Sequence, residues 1–345
     1  MTDDHKGRGG TVSGRTAADR DRIIAGLWED GKGYRAIAST LGVTARQVET
    51  VLGHVAVLRG AGHSDAEIGR RVGLPRSSVQ RLRGSAAPVS TERKSTAVTA
   101  LAQMGGMQLD VLGWFLGTDR KRTYLLVRQL RKDKVVRDLE KVVAGDKWVI
   151  PTRVTASRHL GFPVREWRPS PDKAAHHRAV AQARIMLVGT DLERWISERV
   201  LWHRAGAAAA ASRGGRGRTE VPHIHDGRFL GDVDGVHGWW AVEVELSRKS
   251  STAMDVALQG AIRAAARPDE PETMVGLVYL CRSAQVLDGV NAAVERLPAE
   301  LARLLPRIAI GDFDDEWTQF LADRNAAKAA KRRRRNHIHL TGEAS

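Results

Sequence analysis

The chain has a single cysteine, Cys281, so no disulfide can close within it and no cysteine-based zinc site can be built. Cys281 sits in the apolar run VGLVYLC and reads as a small buried hydrophobe. Long apolar runs are missing too. No stretch approaches the ~20 apolar residues of a membrane span, and the opening MTDDHKGRGG holds no apolar leader core. These absences predict a cytoplasmic protein with no membrane partner. No GxxxxGK[ST] or GxGxxG follows an expected strand, so ATP use is not expected. What is present is positive charge: 55 Lys and Arg against 40 Asp and Glu give +15 over 345 residues. A charge of that size and sign points to a polyanion, most often nucleic acid. The length allows two or three domains.

The first ninety residues contain a repeat. YRAIASTLGVTARQVETVL, from Tyr34, aligns without a gap on DAEIGRRVGLPRSSVQRLR, from Asp65. Ile37 matches Ile68, Ala38 matches Gly69, Gly42 matches Gly73 and Val48 matches Val79. This is helix-turn-helix spacing: a small residue where two helices approach, a glycine four residues later for the sharp turn, then an inward apolar residue on the second helix. Thr44 and Pro75 stand where a cap and an early-turn proline belong. The second helices carry Arg46, Gln47 and Thr50 in one copy, and Arg76, Ser77, Gln80, Arg81 and Arg83 in the other. Such side chains reach base edges and phosphates in a major groove. A helical scaffold for protein binding is the alternative.

A polar linker (SAAPVSTERKST) follows, and then three short apolar-periodic segments and the turn Ala144-Gly145-Asp146 between VVRDLEKVV and KWVIPT. Three helices and a β-hairpin describe a winged helix. Its third helix is expected to start near Thr118 or Asp119, to bury Leu125, Leu126 and Leu130, and to expose Arg120, Lys121, Arg122 and Arg128. Eight basic and two acidic residues lie between Asp119 and Arg137. Cations at a helix N-terminus oppose the macrodipole, which suggests that they answer to a ligand. A solvated charged face is the plainer alternative. Further on, residues 190–203 read as a helix that includes Glu198. AGAAAAASRGGRGRTE reads as a flexible basic loop, and KRRRR near the end as a phosphate-seeking tail or a solvated charge run.

The segment WWAVEVELSRKS reads as a strand. Period two puts Glu243 and Glu245 on one face, with Lys249 beyond, and leaves Val242, Val244 and Leu246 on the other. Asp226 lies sixteen residues before Glu243, across a hairpin-forming GDVDGVHG. Carboxylates gathered on one face repel unless something neutralises them, and Mg²⁺ is the usual solution for oxygen ligands. A metal on Asp226 and Glu243 would activate a water, with Glu245 or Lys249 orienting or deprotonating it. This arrangement resembles the PD-(D/E)XK nuclease core. Two departures stand out. His225 rather than proline precedes Asp226, and Glu245 occupies the usual lysine position with Lys249 four residues later. A degenerate nuclease fold kept for DNA binding therefore stays open.

The winged-helix segment ending in KWVIPT, with AHHRAVAQARIML, WISER, HIHDG and WWAVEVELSRKS, resembles the actinobacterial replication-relaxation family over roughly residues 98–285. The resemblance implies a protein acting on plasmid or other mobile-element DNA, in replication initiation or DNA relaxation. It leaves other replication or transfer proteins, and a second copy of the chain, as further partners. A tyrosine relaxase that nicks plasmid origins is a rival reading, since a His-hydrophobe-His triplet forms the metal-binding strand of such enzymes and His-Ile-His occurs at 223–225 and again at 337–339. Such an enzyme needs an exposed nucleophilic tyrosine, and Tyr34, Tyr124 and Tyr279 all stand in structural contexts. A non-catalytic initiator or regulator is a second rival.

The expected fold is therefore α+β and multi-domain. Residues 17–84 form an all-α tandem helix-turn-helix region and 97–168 a winged helix. Residues 174–322 form a PD-(D/E)XK-like α/β domain with a mixed sheet, and 323–345 a disordered basic tail. The expected partner is double-stranded DNA and the expected cofactor Mg²⁺. Binding should then weaken steeply with salt, each neutralised phosphate contributing about −0.9 to the slope of log K against log[salt]. A titration on duplex DNA from 50 to 300 mM salt checks this, and a flat response would rule out the polyanion reading.

Overall fold

A computed structural model describes residues 34–61, 63–72, 92–211, 223–267, 271–305 and 307–341, together with 23, 24, 27, 76 and 79. Thirteen helices and seven strands lie among them, so the chain is mixed α+β. It divides into two compact units. One gathers Met1–Ala102, Leu126–Asp138 and Ile150–Arg168, the other Gln103–Leu125, Leu139–Val149 and Pro169–Ser345. Residues 97–168 thus contribute to both.

In the first unit, the leading repeat forms α1 (Tyr34–Leu41) and α2 (Ala45–Gly60), joined at Gly42 with φ 64°. The Val43 N–H donates back to the Ala38 carbonyl at 3.0 Å, which ties the turn to the helix it ends. Ile37, Ala38 and Val48 are buried where the alignment puts them. In the second copy α3 (Asp65–Val72) buries Ile68 and Gly69, and Val79 is buried beyond it. Gly73 and Pro75 fall outside the described residues. These apolar side chains share one core with Ile24, Leu52 and Val55. A later helix, α7 (Arg153–Leu160), packs on α2. Arg153 Nη2 donates to Thr50 Oγ1 at 3.2 Å, and Gly53 faces Ser157. Thr50, expected to face DNA, is engaged within the unit. It shares a face of α2 with Gly53, where the missing side chain lets α7 come close.

Between these segments run α4 (Glu92–Met104), β1 (Met107–Gln108), α5 (Leu109–Leu116), α6 (Arg120–Lys132) and β2 (Trp148–Val149). β1 pairs antiparallel with β2, and Trp148 also bridges Glu140 across a turn in which Gly145 has φ 99°. The sequence reading did not anticipate β1, which is only two residues long. On α6 the buried positions are Thr123, Val127 and Leu130. Leu125, placed in the buried stripe, is 46% exposed. It lies two residues from both Thr123 and Val127, about 200° around the helix from each.

The second unit is built on a sheet ordered β3-β4-β5-β6-β7. Its strands are β3 (Trp195–Ser197), β4 (Gly227–Val233), β5 (Val236–Glu245), β6 (Met274–Cys281) and β7 (Ile308–Asp312). The first three run antiparallel, and the last two join parallel to β5 through helical crossovers. One sheet face packs Trp240, Val242 and Val244 against Ala179 and Ala183 of α8 (Ala174–Val188) and Phe313 and Trp317 of α13 (Phe313–Thr341). The other packs Ala241, Leu277 and Tyr279 against α10 (Ser251–Ala265), α11 (Ala284–Glu295) and α12 (Ala299–Leu304). Cys281 is buried in this second core as expected, and burial pushes its thiol up to about 12.

Three expectations need correction. Within 190–203 the chain forms the edge strand β3 before α9 (Glu198–Ala211), because Trp195-Ile196-Ser197 pairs with Phe229-Arg228-Gly227. The alanine run expected in a loop extends α9 to Ala211, as the best helix former would. Residues 323–341, expected in a disordered tail, continue α13 to Thr341, the NAAKAAKRRRR stretch being rich in strong helix formers.

The sheet is closely keyed by glycine. A Cβ on Gly276 would stand 2.1 Å from the Trp240 ring and 2.8 Å from the Arg307 carbonyl oxygen. Gly276→Ala should therefore destabilise the protein by at least about 1–3 kcal/mol, as overpacking does. Thermal unfolding checks this, with Gly206→Ala, which meets nothing within 4 Å, as the control.

Candidate functional site

The sheet brings four acids and three imidazoles toward one end of β5. Beyond the ladder pair Gly227–Val242, Asp226 leaves the strand and its Oδ2 accepts the Val244 N–H at 2.8 Å. The adjacent Glu243 and Glu245 share the face of Ala241 and Tyr279, as period two demands, and Val242 and Val244 are buried on the other. Asp226 and Glu243, chosen as metal ligands from sequence, are thus brought together. Glu245 is buried and takes the Lys249 ammonium, four residues on. Lys249 does reach back to the strand end, but onto Glu245.

The histidines were not assigned to this site from sequence. His176, in the first turn of α8, donates through Nε2 to Asp226 Oδ1 at 2.9 Å. Burial disfavours its protonated form. The hydrogen bond and charge of Asp226, with Glu198 and Glu243 nearby, outweigh that and raise its pKa. Glu198 itself accepts the Trp202 indole N–H at 3.0 Å. His223 Nε2 lies 2.8 Å from Glu243 Oε1. Burial again disfavours its charge, and Glu243 and Asp226 raise its pKa overall. Glu243 is pushed up to about 7, first by burial and then by the Asp226 charge, against the pull of His223 and Lys249. A small window remains, since 14% of its side chain is exposed. His225 is fully buried and donates through Nε2 to the Ala261 carbonyl at 3.0 Å, and burial drives its pKa down to about 3. The signals were in view as the adjacent His176-His177 and the HIH triplet. Only tertiary pairing shows which acids they meet.

The tyrosine expectations are partly revised. Tyr279 stands opposite Glu243 in the β5–β6 ladder and is buried, with its phenol pushed well above the usual value. Tyr124, placed in the winged-helix stripe, is 48% exposed on α6. His337 and His339 lie on α13, and their side chains fall outside the described residues.

Of the expected DNA-facing residues, Arg120, Lys121, Arg122 and Arg128 are exposed on α6, and Arg76 is exposed beyond α3. Arg120 is clamped by both carboxylate oxygens of Asp146, at 2.8 and 2.6 Å. Asp119 Oδ1 accepts the Arg122 N–H at 2.8 Å, so an acid offsets the cations at the positive end of this helix. The side chains of Arg46 and Gln47 on α2, and all of Gln80, Arg81 and Arg83, fall outside the described residues. No helix of the described residues is long and apolar enough to cross a membrane.

No protein-family model, curated protein or solved structure matches the chain.

Glu243 and His223 both hold protons more tightly folded than unfolded. Their raised pKa values give stability that is full at low pH and lost as pH rises, for Glu243 across about 4.5 to 7. Glu243→Gln cannot titrate. The melting temperature of the wild type minus that of Glu243→Gln should therefore fall by several degrees from pH 4.5 to pH 8 without added metal. Thermal melts of both proteins at the two pH values check the sign, and a difference that grows with pH would contradict it.

Proposed function

We propose that this is a double-stranded-DNA-binding protein whose second unit hydrolyses phosphodiester bonds with a divalent cation. The observation that carries the reading is the meeting of Asp226 and Glu243 across the β4–β5 ladder, with Lys249 at the strand end. The sheet around them has three antiparallel strands extended by two parallel ones. That order is compatible with a PD-(D/E)XK-like core. DNA is the natural substrate for a chain of +15 that exposes Lys121, Arg122 and Arg128 on one helix. The segments around α1–α2 and α6 fit tandem helix-turn-helix units and a winged helix, and the resemblance to the replication-relaxation family makes a plasmid or mobile-element origin the proposed target. Mg²⁺ is the cation proposed from the carboxylates alone.

When bound, the cation would supply a Lewis acid and a water of lowered pKa. The chain's own contribution is placement. Glu243 offers a carboxylate with 14% of its side chain exposed. The Val244 N–H and His176 hold Asp226 at both oxygens. Lys249 neutralises Glu245, and Arg248 and Lys249 line an open cleft beside them, suited to a phosphate backbone.

One observation favours a second reading. Both Asp226 oxygens already have partners, and Lys249 is committed to Glu245 rather than aimed at open space. Such satisfaction suits a structural network in a non-catalytic DNA-binding initiator or regulator. A supercoiled-plasmid assay with Mg²⁺ or Mn²⁺ separates the two. Under the hydrolytic reading the wild type converts plasmid to open circle, while Glu243→Ala loses at least about 100-fold in rate and keeps its affinity for duplex DNA. Equal DNA binding with no nicking by either protein selects the second reading.

A further inference from the structure

We propose that His223, His225 and Glu243 form a binding site for a borderline transition-metal ion of the Zn²⁺ class. One ligand atom from each of the three lies within 4.8 Å of the others. The deciding atom is Nδ1 of His225. It is buried, without a hydrogen-bond partner, in a side chain with 0% exposure. The other ring nitrogen faces the Ala261 carbonyl oxygen, which can only accept, so Nε2 carries the hydrogen and the neutral ring presents a bare lone pair at Nδ1. A buried acceptor left unsatisfied is costly. A ring that donates one N–H to a backbone carbonyl and keeps its other nitrogen bare is the usual state of a metal-ligating histidine.

The neighbours complete the set. The His223 ring is 5.4 Å from the His225 ring, centroid to centroid, and its Nε2 meets Glu243 Oε1 at 2.8 Å. A cation entering here takes the place of the proton between His223 and Glu243. Two imidazoles and one carboxylate form a donor set suited to Zn²⁺ and its neighbours, whereas Mg²⁺ prefers oxygen and keeps its waters. Three protein ligands also leave room for a water, as in hydrolytic zinc sites. Gly260 of α10 faces His223: a Cβ there would lie 3.4 Å from the His223 Cβ.

The inference changes the ion named for the proposed hydrolytic site, and its test needs no hydrolysis. Metal-free full-length protein is titrated with Zn²⁺ and, separately, with Mg²⁺ by calorimetry. Co²⁺ loading is followed by its visible absorption, which reports tetrahedral nitrogen and oxygen ligation. The expected result is one Zn²⁺ per chain, bound at least about 100-fold more tightly than Mg²⁺. His223→Gln and Glu243→Gln should each weaken Zn²⁺ by more than the 10–100-fold typical of losing an outer partner, and should abolish the Co²⁺ spectrum. His225→Gln is the third variant, and the other two carry the test if it fails to fold. Zn²⁺ binding that survives His223→Gln and Glu243→Gln unchanged, Mg²⁺ bound as tightly as Zn²⁺, or no Zn²⁺ binding at all would each overturn the proposal. Tight Zn²⁺ with no plasmid nicking would uphold the site and count only against the hydrolytic reading.

Discussion

Carboxylates cannot be set on a buried strand without company, because their desolvation costs several kcal/mol each unless charge or hydrogen bonds repay it. The end of β5 is organised around this constraint. Glu245 has Lys249, Glu243 has His223, and Asp226 has His176 and the Val244 N–H. The three side-chain partners come from different places in the chain: the turn after β5, the approach to β4, and the start of α8. The site therefore forms only when the hairpin, the helix and the strand end are all in position. It is a product of tertiary structure rather than of the WWAVEVELSRKS segment alone.

That positioning is made stiff by aromatic rings laid over glycines. The Trp195 ring covers Gly227, the residue after Asp226, and a Cβ there would come within 2.3 Å of it. Trp240, three residues before Glu243, lies against Gly276 in the neighbouring strand. These contacts let indoles sit flat on the backbone at close-packed density. They also fix the register that sets Asp226 beside Glu243, since a one-residue slip of β5 would turn Glu243 to the opposite face of the sheet. Elsewhere in this unit Arg178 does similar work with charge. Its guanidinium meets both Asp110 oxygens, at 2.9 and 2.7 Å, and lies over the Trp114 ring, tying α8 to α5. His176 stands two residues before that anchor.

What was legible in the sequence had a short period. Alternation along β5 gave the right face for Glu243 and Glu245, and the offset between Tyr34 and Asp65 gave the buried set Ile37, Ile68, Val48 and Val79. Both signals are local, and tertiary packing did not override them. Short strands were harder. Met107-Gln108 and Trp195-Ile196-Ser197 have two and three residues, too few to show a period, and exist because a partner strand is present. The alanines of α9 form helix despite their low complexity, because alanine is the strongest helix former. The unbroken Leu125-Leu126-Val127 run hides which of the three faces inward, and it is Val127 that is buried. The His223-Ile224-His225 triplet was visible as a candidate metal-binding strand of a relaxase, but its meeting with Glu243 was not. His176 and Asp226 are fifty positions apart, and only the fold makes them neighbours.

The proton and the cation are then alternative answers to one charge deficit. Asp226, Glu243 and Glu245 bring three acids close together, and Lys249 answers only one of them directly. Beside the others stand His176 and His223, and the neighbouring acids raise the pKa of both rings despite burial. His225 is different. It is too deeply buried to charge, with its pKa driven to about 3, so it cannot share in neutralising the acids as a proton carrier. A buried neutral imidazole beside a carboxylate cluster adds nothing to charge balance, yet it supplies a lone pair where no hydrogen-bond donor meets it. An arrangement serving only to neutralise Glu243 would need His223 alone. The second imidazole has a physical use when the charge to be accommodated is that of a metal ion.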